Sequence, residues 1–341
     1  MPSGPLPPPG DLGASERPAP PEVDVLVVGG GPAGLAAATW LGRHRRRTLV
    51  VDAGRHRNRA TEAIHGLLGR DPVTPTRFRE EALADLAGYP HVEVRDGTVT
   101  AVVADGDRFR AEVDGRPVIA SRIVLATGVR DRFPAIDGLE EHYGAGLQHC
   151  PTCEGYETRD RPVAVLGWGA HVPAFATELL DWASQVAIIS HGAQPDIDAD
   201  QLGRLGELGI ELVDDRAEAL LGTRGALRAV RCASGREVDA AMVFFSIGHD
   251  ATVELATALG CELTDEGVIA VDHEQRTTVP GVFAAGDVTP GMQLVNVALG
   301  EGTVAGVACA QSLHGAPTAP GAPAAAPPVD ELAPGGGRVE P

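Results

Sequence analysis

The chain of 341 residues has no apolar run of about eighteen residues, the length a membrane-spanning helix needs. Its first residues lack the basic stretch followed by an apolar segment that marks a secretory leader, so a cytoplasmic protein with no membrane partner is expected. Positive charge is also short. There are 28 Lys and Arg against 47 Asp and Glu, and a formal net charge of −19 would repel nucleic acid and anionic membrane surfaces. Cysteine is limited to five, of which only Cys150 and Cys153 are neighbours in sequence. No His-x3-His and no second Cys-x-x-Cys exists to complete a tetrahedral zinc set, so no metal site is expected. Complexity is missing at both ends: residues 1–21 and 315–341 are dominated by Pro, Gly, Ala and Ser and are expected to be disordered tails.

What remains, with 43% hydrophobic side chains overall, is enough for a large core and fits two domains better than one. Near its middle stands Gln148-His149-Cys150-Pro151-Thr152-Cys153-Glu154-Gly155. Two thiols separated by two residues can close into a disulfide within one turn and hold or release an electron pair with little backbone movement. In a cytoplasmic chain such a pair is more often catalytic than structural. Half a zinc site is the competing reading, and a non-catalytic redox sensor is another.

The position of the pair favours electron transfer, because it falls between two glycine-rich turns. The apolar run Val23–Val28 reads as a buried parallel strand, followed by Gly29-Gly30-Gly31-Pro32-Ala33-Gly34 and a helical pattern from Leu35 to Leu41. In strand, Gly-x-Gly-x-x-Gly, helix order, Gly29 permits the tight turn, Gly31 lets a pyrophosphate approach, and Gly34 lets helix and strand pack closely. Pro32 and Ala33 open the helix whose free N–H groups favour phosphate. The next strand, Thr48–Val51, ends at Asp52, at the spacing expected of a carboxylate that binds a ribose. Short alternating strands broken by Asp-Gly pairs from His91 to Ile123 form an antiparallel meander, which returns into the strand Ile123–Gly128. Small residues there, Thr127 and Gly128 among them, let backbone lie against a flat ligand.

A weaker copy follows the thiols. Pro162–Leu166 is a strand, Gly167-Trp168-Gly169-Ala170-His171-Val172 a turn, Pro173–Trp182 a helix, and Val186–Ser190 a strand. Leu227–Val243 resembles a hairpin around Ser234-Gly235. The fold class expected is therefore α/β: two Rossmann-like, three-layer dinucleotide-binding domains, the second inserted in the first, each with a small antiparallel β-meander. Residues 22–129 and 250–314 make the outer domain and 130–249 the inserted one, which carries the cysteine pair. The strand expected at Val279–Val288 delivers Gly286 and Asp287, and a last helix from Gln293 to Ala310 would stabilise negative charge at its start.

The glycine turn at 29–34, Ala126-Thr127-Gly128, the Cys-Pro-Thr-Cys-Glu-Gly segment and Ala285-Gly286-Asp287 together resemble the low-molecular-weight thioredoxin reductase family of flavoproteins, over about Val23 to Leu313. The resemblance implies FAD in the outer domain, NAD(P)H in the inserted one, a homodimer, and a dithiol alternating between flavin and a thioredoxin-like protein or small-molecule dithiol. It implies that Cys153 faces the flavin with Cys150 as its exchange partner, that Asp287 accepts a bond from a ribityl hydroxyl, and that Glu154 takes the place of the family's proton-carrying aspartate. Asp52 to Asn58, with His65, Asp71 and Pro75, further resembles the branch of gliotoxin- and holomycin-type dithiol oxidases, in which Asn58 and His65 would line the flavin or substrate space.

Two departures bear on the nicotinamide. The second turn ends in Val172, with Trp168 and His171 adding bulk where a pyrophosphate would lie. The segment Ser190–Asp196, where NADPH-dependent members carry arginines for the 2'-phosphate, has none. A reductase of thioredoxin-like disulfides and an oxygen-dependent dithiol oxidase thus both stay open, with NAD(P)H the doubtful cofactor of the two.

Overall fold

The computed structural model describes residues 20–316 and 318–320, and the expected tails fall almost wholly outside the described residues. The chain opens with β1 (Glu22–Val28), α1 (Pro32–Arg43), β2 (Thr48–Asp52), α2 (Pro75–Ala87) and β3 (Val92–Asp96). From Val25 onward β1 is buried on both faces, as a parallel strand covered on two sides must be. Pro32 starts α1 where its missing N–H has no helical partner to lose. The same logic starts α2, which the sequence reading passed over: Thr74 caps it by accepting from the Arg77 N–H, and Pro75 follows directly.

The meander is β4 (Val99–Asp105), β5 (Arg108–Val113) and β6 (Arg116–Leu125). β6 serves two structures. Its first half closes the antiparallel ribbon on β5, and its second half runs parallel between β1 and a late strand. The chain then crosses through β7 (Val129–Asp131), α3 (Leu139–His142), β8 (Leu147–Gln148) and α4 (Pro151–Glu154). The second unit comprises β9 (Pro162–Gly167), α5 (Val172–Glu178), β10 (Gln185–Ile189), α6 (Ala199–Glu207) and β11 (Glu211–Val213). Its own ribbon, β12 (Ala217–Thr223), β13 (Ala226–Cys232) and β14 (Glu237–Asp239), leads into β15 (Met242–Ser246). The return runs through β16 (His249–Ala251), α7 (Glu254–Leu259), β17 (Val282–Ala284) and α8 (Val295–Ser312).

Two parallel sheets result, ordered β3-β2-β1-β6-β17 and β11-β10-β9-β15-β8. Alternate side chains of each strand go to opposite layers. Leu26, Leu49 and Ile123 pack under the first ribbon with Phe109 and Val113, while Val25, Val27 and Val50 pack under the helices with Leu41 and Ala305. Leu166 and Ile189 meet the second ribbon, and Val165 and Ile188 meet α5 and α6. These are the two three-layer units the sequence predicts. The two crossings between them, β7 and β16, pair antiparallel as one ribbon.

Three boundaries differ from expectation. Of Val279–Val288 only Val282–Ala284 pairs as strand, because the chain must turn at Gly286, whose φ is +84°. The last helix begins at Val295 rather than Gln293 and runs on to Ser312. The helix after the second glycine turn stops at Glu178 and tightens into a 3-10 turn. α8 crosses α1 at two glycines: a Cβ at Gly302 would overlap the Ala33 carbonyl, and one at Gly306 would stand 2.6 Å from the Ala37 oxygen. That close approach fixes where the first turn of α8 points.

Candidate active site

One cavity of about 1090 Å³ receives the ends of β1, β2, β6 and β17, the starts of α1 and α8, and Cys150, Thr152, Cys153 and Glu154. Of the residues predicted from sequence, Gly29, Gly31, Pro32, Ala33, Asp52, Asn58, Thr127, Gly128, Cys150, Cys153, Glu154, Gly286, Asp287 and Gln293 all line it. Gly34 does not. A Cβ there would overlap the Gly29 carbonyl oxygen, so Gly34 serves the contact of helix on strand. Gly29 takes φ +107° and a Cβ on it would overlap the Ala126 carbonyl, whereas Gly31 meets nothing within 4 Å and faces the open cavity.

The first turn fits a dinucleotide on the structure's own terms. Asp52, 4% exposed, accepts from the Gly54 N–H at 3.0 Å and pairs with Arg79 at 2.6 Å, which leaves part of a carboxylate's acceptor capacity for a ribose. Arg79 also donates to the Gly30 carbonyl at 2.7 Å and so braces the turn. His56 Nδ1 is buried on the cavity wall with no partner, an orphan group of the kind a polar ligand satisfies. These are the residues that would hold FAD.

Cys150 and Cys153 are joined as a disulfide, and the Cys150 sulfur also accepts from the Cys153 N–H at 3.1 Å. Pro151 begins the single turn of α4 and places Glu154 inward, 8% exposed. Burial, opposed by His65 and helped by Glu157 and Glu62, raises the Glu154 carboxyl to about 7. A carboxyl poised there gives and takes a proton equally well near neutral pH. The other three cysteines are buried thiols, and burial pushes Cys309 up to about 12, which keeps it inert.

The sequence reading missed a polar hub on the same wall. Arg57 donates through Nε to Asp131 at 3.1 Å, pairs with Asp287 at 3.3 Å, and donates to Gln293 Oε1 at 2.6 Å. Tyr143 donates its hydroxyl to Asp131 at 2.8 Å. Burial disfavours the Asp131 charge, but the Arg57 bond outweighs it and the carboxyl lies below its ordinary range. Burial raises Asp287 against the pull of the same arginine. His149, beside Cys150, is held down at about 4 by burial and by Arg57, so its ring is uncharged at neutral pH. Adjacency to Cys150 was the available signal for His149. Arg57 gave none, since its partners lie 74 and 230 residues away.

The second glycine turn is built differently. The ring of His171 lies over it, with Nε2 2.6 Å from the Ser246 hydroxyl, and so spans the ends of β9 and β15, where a pyrophosphate would sit. A Cβ on Gly169 would meet the His171 ring at 2.8 Å. Trp168 stacks on His191 at 6.1 Å, and Ser190 at the end of β10 donates to Asp214 at 3.0 Å. Arg216, the arginine beside His191, pairs with Glu218. These residues do not fit a second dinucleotide.

Comparison with known proteins agrees with the architecture. Residues 23–302 match the family described as pyridine nucleotide-disulphide oxidoreductase. The chain belongs to that family. It is 33% identical to thioredoxin reductase tcpT of Claviceps purpurea, over 83% of this chain and 92% of that one. A relative from Arthroderma benhamiae, 36% identical over 182 residues, aligns with 51% of this chain and 45% of its own length. The crystal structure of HlmI superposes with a TM-score of 0.81 at 34% identity, covering 86% of this chain and 93% of that one. The chain is thus a thioredoxin reductase-like oxidoreductase of sulfur groups, as the resemblance implied. No helix among the described residues is long and apolar enough to cross a membrane.

Proposed function

We propose that this protein is an FAD-dependent dithiol oxidase that closes a disulfide in a small molecule and delivers the electron pair to oxygen. The observation that carries the reading is the inequality of the two glycine turns. The first opens into the cavity that also holds the disulfide, and the second is covered by its own side chains. FAD bound along Gly29–Ala33, Asp52, Asn58, Thr127, Gly128, Gly286, Asp287 and Gln293 would supply the two-electron acceptor.

The chain's own residues do the remaining work. A substrate thiolate attacks the Cys150–Cys153 bond, breaking it and forming a mixed disulfide. The second substrate thiol then displaces the enzyme sulfur, so the product leaves oxidised and both cysteines are left reduced. Glu154 takes up the thiol proton and returns it to the departing cysteine sulfur. Cys153 is the sulfur assigned to the flavin side and Cys150 the exchange partner. Residues 22–129 with 250–314 act as the flavin domain and 130–249 as the thiol-carrying domain, in a homodimer working in the cytoplasm.

The test is stoichiometry. Supplied with dithiothreitol in air and no nicotinamide, the purified protein is expected to form one disulfide per oxygen consumed. A flat oxygen trace, together with NADPH-driven reduction of a thioredoxin-like disulfide, would make it a reductase instead.

A further inference from the structure

His65 has no place in the exchange steps above, yet it stands between the buried carboxyl and water. Its Nδ1 lies 3.3 Å from Asp71 Oδ1 and 3.8 Å from Glu157 Oε1. One side-chain atom each of His65, Glu154 and Glu157 fall within 4.8 Å of one another. Exposure rises along the row, from 8% for Glu154 to 22% for the His65 side chain and 50% for that of Asp71. All of them line the cavity that holds the disulfide.

We propose that His65 is a positioning residue that carries protons between Glu154 and Asp71, connecting the carboxyl beside the disulfide to solvent. This rests on the oxidase reading. When the Cys150–Cys153 bond re-forms, two S–H bonds break. FAD bound in the cavity would accept two electrons and one proton, and Glu154 is left holding the second proton. That proton passes to the His65 ring and from there to the Asp71 carboxylate and water, so Glu154 is again a carboxylate for the next substrate thiol. The charges facing the row are Glu62 and Glu157, both acidic, which favour a proton on Glu154, and the His65 ring itself, which opposes it. Glu157, whose Oε1 lies 3.8 Å from the His65 Nδ1, can hold the imidazolium while the proton is in transit.

Two measurements on the FAD-loaded protein decide this. The first is steady-state oxygen consumption with dithiothreitol in air from about pH 5 to about pH 9, in which every turnover after the first needs Glu154 cleared of its proton. His65→Ala is expected to slow turnover about tenfold, with recovery on adding free imidazole, and Asp71→Asn about threefold. The second is infrared titration of the Glu154 carboxyl in the resting oxidised enzyme, which needs no turnover: His65→Gln is expected to move its midpoint upward. Native rates in His65→Ala, or slowing that imidazole does not reverse, together with an unmoved Glu154 titration, would overturn the relay. If the native enzyme consumes no oxygen with dithiothreitol, the oxidase reading falls, and the infrared titration alone decides the His65–Glu154 coupling.

Discussion

The chain makes the same strand, glycine turn and helix twice, and the first copy's turn lines the large cavity while the second copy's does not. At the first turn Gly31 has nothing within 4 Å of where a side chain would begin, and the wall beyond carries an unpartnered His56 nitrogen. At the second, His171 reaches back over Gly169 to Ser246, and Trp168 lies on His191. The backbones match; the side chains set the difference. The second copy's sheet holds β8 through β15, directly before the disulfide segment that lines the first copy's cavity.

Substitutions can break this comparison or sharpen it. The largest effect is expected from Cys153→Ser, which should keep the yellow flavin yet lose thiol-driven flavin reduction by about a thousandfold or more in single-turnover mixing. Glu154→Gln comes next. With its carboxyl near 7, native Glu154 holds its proton below that pH and cannot accept one, so the reduction rate should fall as pH drops through about 7. The Gln variant should lose that limb and about a hundredfold in rate at neutral pH. Arg57→Ala strips a cation from Asp131, whose side chain is 2% exposed, and should lower stability by about 3 kcal/mol in denaturant titration. It also frees Gln293 and Asp287, so flavin retention should drop with it. The smallest effect is expected at the second turn: His171→Ala should change stability by about 1 kcal/mol or less and leave flavin content and dithiol oxidation as they were.

Much of this could be read in the chain itself. Val23–Val28 is continuously apolar and too short for a helix, so its role as a buried strand followed from length and pattern. The Asp-Gly pairs marked the ribbon turns at 105–106 and 114–115, where both glycines take positive φ. Cys150 and Cys153 were found through their spacing, and Glu154 through the resemblance to the family's proton-carrying aspartate. Less accessible was the segment 53–90, where α2 depends on a Thr74 cap and a mostly exposed amphipathic face that gives little periodic signal. The Arg57 hub was hidden for a different reason: inside Arg55-His56-Arg57-Asn58-Arg59 it looks like any solvated arginine, and only the folded chain brings Asp131 and Asp287 to it. Long-range pairing of charges has no local signature.

The central claim is that electrons enter through sulfur and not through nicotinamide. Anaerobic mixing of the FAD-loaded protein with dithiothreitol in one syringe and NADPH in another, following the flavin's visible absorbance, tests it most directly. The account predicts rapid bleaching by the dithiol and none by NADPH on the same timescale. Bleaching by NADPH as fast as or faster than by the dithiol would show that the second turn does admit a dinucleotide, and would contradict it.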